Sequence, residues 1–68
     1  MYLSENHLVK EYDISLATVK RIIRYMQIGI EAGRYAPDSI LYIGGRPRVN
    51  NESFIMAIRE REKGRVAR

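Results

Sequence analysis

Apolar residues recur at helical spacing between Ser15 and Gln27. At about 100° per residue, one side of this stretch carries four large apolar side chains that require a core, namely Val19, Ile22, Ile23 and Met26. The almost opposite side carries Ala17, Lys20, Arg21 and Arg24. Ser15 can cap the helix, because its hydroxyl can accept a hydrogen bond from a free amide of the first turn. The pattern predicts an amphipathic helix whose outer side, called the cationic front below, consists of Ala17, Lys20, Arg21 and Arg24.

A shorter helix is predicted immediately before this one. Ser4 is its expected N-cap, and Glu5 suits the positive end of the helix. Its short apolar stripe consists of Leu8, Val9 and Tyr12. Asp13 is expected to end the helix in a turn, with Ile14 filling the corner between the two helices. Two helices in this order, the second one capped by serine and basic outside, form the helix-turn-helix pattern, although similar pairs occur in proteins that bind no DNA.

The cationic front allows two interpretations. The first is an ordinary solvated helix face, as most charged helix faces are. The second is a surface that enters the major groove of DNA, where a small residue lets the backbone come close and cations reach phosphates and guanine edges. The segments on either side of the helix bear on this choice.

A β-hairpin is predicted after the second helix. The helix is expected to end between Gln27 and Gly33, and a loop is expected to run through Pro37, because the residue before a proline disfavours helical geometry. Ile40–Ile43 forms a short apolar strand and Arg46–Val49 the returning strand. Gly44-Gly45 suits the turn between them, since both positions of a type I′ turn need positive φ.

The returning strand carries two arginines and a proline. Arg46 and Arg48 are two residues apart and therefore share a face of the strand. Pro47 has no amide proton, so the strand is expected to lie at the edge of its sheet. The arginines either protect that edge against aggregation or, beside a helix-turn-helix, form a wing that touches the DNA backbone or the minor groove.

A third helix is expected to close the domain. Asn50 or Asn51 caps it, and its inner stripe consists of Phe54, Ile55 and Ile58. Gly64 is expected to stop it. Residues 60–68 alternate between acidic and basic side chains without an apolar stripe, so we expect a flexible basic tail. That tail is either a solvated end or a contact for a partner or for phosphate.

Length and composition limit the class of protein. Sixty-eight residues allow one domain, spanning residues 1–68, with a small core. The chain has no cysteine, so neither a disulfide nor a thiolate zinc site can stabilise it. No apolar run approaches the roughly 20 residues that span a bilayer, and the N-terminus does not resemble a signal peptide. We therefore expect a cytoplasmic protein with no membrane partner.

The charge of the chain is unevenly distributed. Twelve Lys and Arg residues against eight Asp and Glu residues give a net charge of +4, which favours an anionic partner. Six basic residues lie between Lys20 and Arg48, whereas the only acidic residues there are Glu31 and Asp38. The basic surface is thus expected on the second helix, on the segment that follows it and on the tail.

No constellation of residues indicates catalysis. A catalytic triad needs a buried, preorganised pocket, which so small a core can hardly supply. His7 is the only histidine, and without cysteine a metal site would need carboxylates to complete it. Gly44-Gly45 does not lead into a helix, as a phosphate-binding loop would. We interpret the chain as a binding module that is not an enzyme and has no metal or cofactor.

Two segments of the chain resemble one family. Leu8–Ile23 resembles the VSxxTVxRxI helix-turn-helix of small winged-helix proteins. Ile43–Val49, followed by Asn-Asn-Glu-Ser-Phe, resembles their xGGRxRI wing and closing helix. These proteins are the excisionases of phages and integrative elements and the related DNA-binding heads of the mercury-resistance regulator class. The resemblance covers residues 3–58, with a longer connection between Met26 and Ile40 and with Pro47 where an aromatic or polar residue is common.

The resemblance implies an α+β fold, a winged helix-turn-helix that binds double-stranded DNA. By residue-for-residue match, the cationic front would face the major groove, Thr18 would lie near the DNA backbone, and Arg46 would lie at the wing. Arg48, on the same face of the hairpin, is a further candidate DNA contact. The family further implies an excisionase that binds neighbouring repeats, bends DNA and assists a tyrosine-type integrase, with the tail contacting the integrase or a neighbouring protomer. Two alternatives are a small phage-type transcriptional regulator of the same fold and a protein-interaction module whose basic face meets an acidic protein.

Overall fold

Three helices and a three-stranded antiparallel sheet enclose one core in this α+β chain. The structure, a computed structural model, describes the backbone of residues 1–66 and the side chains of residues 1–62. The elements are β1 (Tyr2–Ser4), α1 (Glu5–Tyr12), α2 (Leu16–Glu31), a 3-10 turn (Pro37–Ser39), β2 (Ile40–Ile43), β3 (Arg46–Asn50) and α3 (Asn51–Val66). Both predicted helices of the first half and the predicted hairpin are thus confirmed, whereas β1 and the 3-10 turn were not expected.

Side-chain caps begin all three helices. The Ser4 hydroxyl accepts a hydrogen bond from the His7 amide at 3.1 Å, and the Ser15 hydroxyl accepts one from the Thr18 amide at 3.1 Å. The side-chain oxygen of Asn50 accepts from the Ser53 amide at 3.0 Å. Each cap satisfies one of the amides that a helix leaves unpaired at its start. The two serine caps are confirmed, and Asn50 is the cap of α3.

The core contains the apolar stripe of α2 that the periodicity predicted. Val19, Ile22, Ile23 and Met26 are all buried. The other buried apolar residues are Leu3, Leu8, Tyr35, Ile40, Val49, Phe54 and Ala57. Of the stripe expected on α3, Phe54 is fully buried, whereas Ile55 and Ile58 are half-buried. One cluster therefore joins every helix to the sheet.

The sheet has the order β1-β3-β2, so the strand with Pro47 is its central strand and the expectation of an edge strand is wrong. β1 pairs with β3 from Tyr2 opposite Asn50 to Ser4 opposite Arg48, and this pairing stops one residue short of Pro47. On the other side Pro47 lies opposite Tyr42, one pair away from the hairpin turn. The missing amide proton therefore leaves no ladder bond unmade, which explains how proline is tolerated in a central strand.

The hairpin turn follows the sequence prediction. Gly44 and Gly45 have φ values of 60° and 79°, as a type I′ turn requires. Pairing then places Ile43 opposite Arg46 and Leu41 opposite Arg48.

The end of α3 differs from the prediction. We expected Gly64 to stop the helix, but the helix continues through Gly64 to Val66. A glycine costs a helix only about 1 kcal/mol relative to alanine, so it weakens a helix without ending it. The proposed boundary of a tail at residue 60 therefore does not coincide with the end of α3. Ala67 and Arg68, the last residues of that tail, lie outside the described residues.

None of the helices, within residues 1–66, is long and apolar enough to cross a membrane.

Gly29 lets the chain turn back onto α2. A β-carbon at Gly29 would overlap Cδ2 and Cε2 of the Tyr35 ring, which is buried against this point of the helix. The Arg34 amide donates to the Gly29 carbonyl at 2.8 Å, and Gly33 between them adopts a φ of 80°. Gly29 thus has a packing role inside α2.

We expect Gly29→Ala to destabilise the fold by about 1 kcal/mol, and by no more than about 2 kcal/mol. Overpacking a core costs about 1–3 kcal/mol, and the helix propensity of alanine offsets up to about 1 kcal/mol of that. Urea unfolding of both chains measures the difference. A gain in stability, which is the usual effect of Gly→Ala inside a helix, would show that Tyr35 does not pack on Gly29.

Candidate nucleic-acid interface

The cationic front of α2 faces solvent. Ala17, Lys20, Arg21 and Arg24 are all exposed, as the periodicity predicted. Thr18 is half-buried, and its hydroxyl lies 2.9 Å from that of Ser15, so it belongs to the cap that starts α2. The buried stripe and the cap together fix which side of α2 points outwards.

The first turn of α2 contains no acidic residue. The other two helices place a glutamate there, Glu5 in α1 and Glu52 in α3. Acidic side chains near a helix N-terminus offset its positive partial charge. At α2 that partial charge is not offset by its own first turn, and it adds to the field of the cations that follow.

The hairpin carries its two arginines on the face of the sheet that points away from the core. Leu3, Val49 and Ile40 are register partners across the three strands, and all are buried. Since side chains alternate along a strand, Arg46 and Arg48 lie on the opposite face. Arg46 is exposed and Arg48 is half-buried. The predicted common face of the two arginines is confirmed.

Glu5 lies between the two groups of cations. Its carboxylate is 3.3 Å from the Lys20 ammonium group of α2. Glu5 also lines a shallow concavity together with Arg46 and Arg48 of β3. The N-terminus of α1 therefore connects the cationic front to the hairpin.

A second link joins α2 to the hairpin. The Gln27 side-chain amide donates a hydrogen bond to the Tyr42 hydroxyl of β2. Residues 20, 24 and 27 follow one line along a helix, because residues three and four apart are neighbours on its surface. Arg24 thus lies between Lys20, which contacts α1, and Gln27, which contacts the hairpin. Glu5, Gln27 and Tyr42 were missed by the sequence analysis, although helical spacing alone places Gln27 on the line of Lys20 and Arg24.

Most cations of the cationic front and the hairpin have no acidic partner among residues 1–62. Within the described part of the chain, the carboxylate contacts of basic side chains are Lys20 with Glu5 and His7 with Glu11, the latter at 3.6 Å. Arg21, Arg24, Arg46 and Arg48 pair with no carboxylate there. Like charges held together raise the free energy of the free protein, and a polyanion lowers it.

A cluster of polar side chains ties the C-terminal half of α2 to α3. The hydroxyls of Tyr25 and Tyr35 both donate to the Glu60 carboxylate, at 3.2 and 2.5 Å. The Arg34 guanidinium lies 5.5 Å from the centre of the Tyr25 ring. Glu60, which the sequence assigned to the tail, is therefore part of the folded body.

The cluster changes the protonation of its members. The hydrogen bond from Tyr35, followed by that from Tyr25 and the charge of Arg34, lowers the pKa of Glu60 despite some loss of hydration. Burial, with the hydrogen bond to Glu60 next, raises the pKa of Tyr35 above its usual value. Both shifts favour an ionised Glu60 and a neutral Tyr35 in the folded chain.

A similar contact joins α1 to α3. The Tyr12 hydroxyl donates to the side-chain oxygen of Asn51, and its ring lies 5.3 Å from that of Phe54. Burial is the main cause that raises the pKa of Tyr12. The two helices that flank α2 are thus attached to one another as well as to it.

The described residues contain no group of three or more His, Cys, Asp or Glu side chains that could hold a metal ion. His7 is exposed beside Glu11 on α1.

Comparison with known proteins gave no relative: no family model, no curated protein and no solved structure matches the chain.

We expect Glu60→Gln to lower the free energy of unfolding at pH 7, and to lower it by less at pH 3. A carboxylate whose pKa is lower in the folded than in the unfolded chain stabilises the fold above its ordinary pKa of 4.5, and this contribution is lost as the pH falls through the folded value. Urea unfolding at both pH values measures the difference between the two chains.

Glu31→Gln is the matched control, because Glu31 is an exposed glutamate of α2 with no hydrogen bond or ion pair inside the described part of the chain. Glu31→Gln should not show a loss of unfolding free energy at pH 7 that becomes smaller at pH 3. If Glu60→Gln lowered the free energy of unfolding equally at pH 7 and pH 3, the charge of Glu60 would contribute nothing to stability.

Proposed function

We propose that the chain is a winged-helix DNA-binding protein that acts as an excisionase. In this proposal α1 and α2 form the helix-turn-helix, α2 is the recognition helix and the β2–β3 hairpin is the wing. One observation supports the proposal. The five cations of α2 and the hairpin lie on two surfaces, and Glu5 and the hydrogen bond between Gln27 and Tyr42 connect these surfaces. The five cations are Lys20, Arg21, Arg24, Arg46 and Arg48.

Each part of this surface suits a part of B-form DNA. The front of α2 has a small residue, Ala17, where the helix must approach the base edges, and Arg21 and Arg24 can donate two hydrogen bonds each to a guanine in the major groove. The Lys20 ammonium group leaves the Glu5 carboxylate and binds a DNA phosphate instead. Thr18 lies near the DNA backbone. On the wing, Arg46 reaches the minor groove and Arg48 a neighbouring phosphate.

Excisionase function is the more specific part of the proposal, and it depends on the resemblance of the two motifs. One recognition helix with one wing presents few side chains that read bases, so binding to neighbouring repeats would raise specificity. By the resemblance, cooperative binding of that kind would bend DNA and assist a tyrosine-type integrase. Repression of a promoter requires the same contacts, which makes a small phage-type transcriptional regulator the alternative.

We expect the chain to bind duplex DNA with strong salt dependence. Each side chain that neutralises a phosphate contributes a slope of about −0.9 to log K against log salt. Titration of a labelled duplex at several salt concentrations measures the slope. A slope shallower than about −2 would mean that most of the five cations do not touch DNA. Absence of salt-sensitive binding to any duplex would favour a module that binds an acidic protein.

Alanine variants separate the helix from the wing within the same assay. Arg21→Ala or Arg24→Ala should cost about 1–3 kcal/mol and relax discrimination at one base pair. Arg46→Ala should weaken binding to all sequences more evenly, because the minor groove distinguishes fewer base pairs. Equal, sequence-independent losses from all three variants would contradict base reading by α2.

Removal of residues 63–68 tests the role of the tail in excision. The truncation keeps Glu60 and its contacts to Tyr25 and Tyr35, so the fold should keep its melting temperature. We expect nearly normal binding to a single site, with loss of cooperativity on repeated sites or loss of excision by a tyrosine-type integrase. Unchanged cooperativity and excision would show that these residues are only a solvated end.

A further inference from the structure

Leu16 is a large apolar side chain that the core does not use. It is the first residue of α2, directly after the Ser15 cap, and 42% of it is exposed. Ala17 beside it is exposed as well. The core contacts of α2 begin only with Val19. Leu16 therefore presents methyl groups to solvent at the start of the cationic front.

Each of these two residues is followed, one helical turn later, by a basic residue. Leu16 is four residues before Lys20, and Ala17 is four residues before Arg21, so the members of each pair are neighbours on the helix surface. The first turn carries neither an acid nor a base. Acidic residues would stabilise a helix start in water. An exposed leucine carries no charge, so interaction with the positive end of the helix does not explain it.

We propose, on the basis of the proposed function, that Leu16 reads the 5-methyl group of thymine in the major groove, with Ala17 beside it. The N-terminal residues of a recognition helix are the ones that contact base edges. Among the groups that the four bases expose in the major groove, the thymine methyl is the apolar one. Contact between it and Leu16 removes both from water, whereas a cytosine or a purine at that position offers a polar edge instead.

Removal of a single methyl group from the DNA tests this inference. The full chain first selects its preferred duplex from a random-sequence library, and each thymine of that duplex is then replaced singly by deoxyuridine. At one or two adjacent thymines we expect uracil to weaken binding about fourfold, the change that corresponds to one methyl-sized group returned to water. In Leu16→Ala, affinity for the thymine duplex should fall by a similar factor, and the difference between thymine and uracil should disappear.

One further measurement and one further variant keep the outcome clear. The melting temperature of Leu16→Ala checks the fold, which should be unaffected because alanine is at least as good a helix former as leucine. Ile28→Ala is the matched control, since Ile28 is another exposed apolar residue of α2, at 52%, near the opposite end of the helix. It should retain the difference between thymine and uracil.

The proposed function and this inference fail in different ways. If the chain selects no duplex, both are overturned. If it selects a duplex in which no thymine responds to uracil, or if Leu16→Ala responds as the unaltered chain does, DNA binding stands and the role of Leu16 is overturned. Loss of the uracil response in Ile28→Ala alone would also overturn it, because the other end of α2 would then read the bases.

Discussion

Burial of the apolar stripe of α2 determines the orientation of everything on its surface. Val19 and Met26 are completely buried, and Ile22 and Ile23 nearly so. Full burial of one such side chain is worth about 1.5–3 kcal/mol, which is large against the marginal stability of a small domain. A rotation of α2 that hid its cations would expose this stripe. The helix therefore has one stable orientation, and the cationic front is the outward side of that orientation.

Elements specified by neighbouring residues could be predicted from the sequence. Ser15 and the stripe of α2 define a helix within a few turns of chain, and Gly44-Gly45 defines the turn of the hairpin. The common face of Arg46 and Arg48 follows from strand alternation in the same way. These signals need no knowledge of the rest of the fold, which is why each of them is confirmed.

Features that depend on distant pairing could not be predicted in the same way. β1 has three residues and shows no recognisable alternation of apolar and polar side chains. It forms because Leu3 is covered by the core opposite Val49. The rule that proline has no amide proton to donate holds for Pro47, because its nitrogen has no strand partner. That rule could not reveal that β1 pairs with the same strand and stops just before Pro47. Glu60 seemed part of a charged tail because its partners, Tyr25 and Tyr35, are far away along the chain. The side chains that link α2 to the hairpin were missed for the same reason.

Glu5 shows how the basic surface can be strong without being indiscriminate. Its pair with Lys20 is exposed to solvent, and such pairs contribute about 0–1 kcal/mol, so a phosphate can replace the carboxylate at little cost. The displaced carboxylate still belongs to the concavity that Arg46 and Arg48 line, so its negative charge reduces the attraction of that region for any polyanion. For the proposed DNA binding, the sequence-independent part would then be weaker, while the proposed hydrogen bonds from Arg21 and Arg24 to base edges would be unaffected. In the proposed complex, one acidic residue thus increases the share of the binding free energy that depends on sequence.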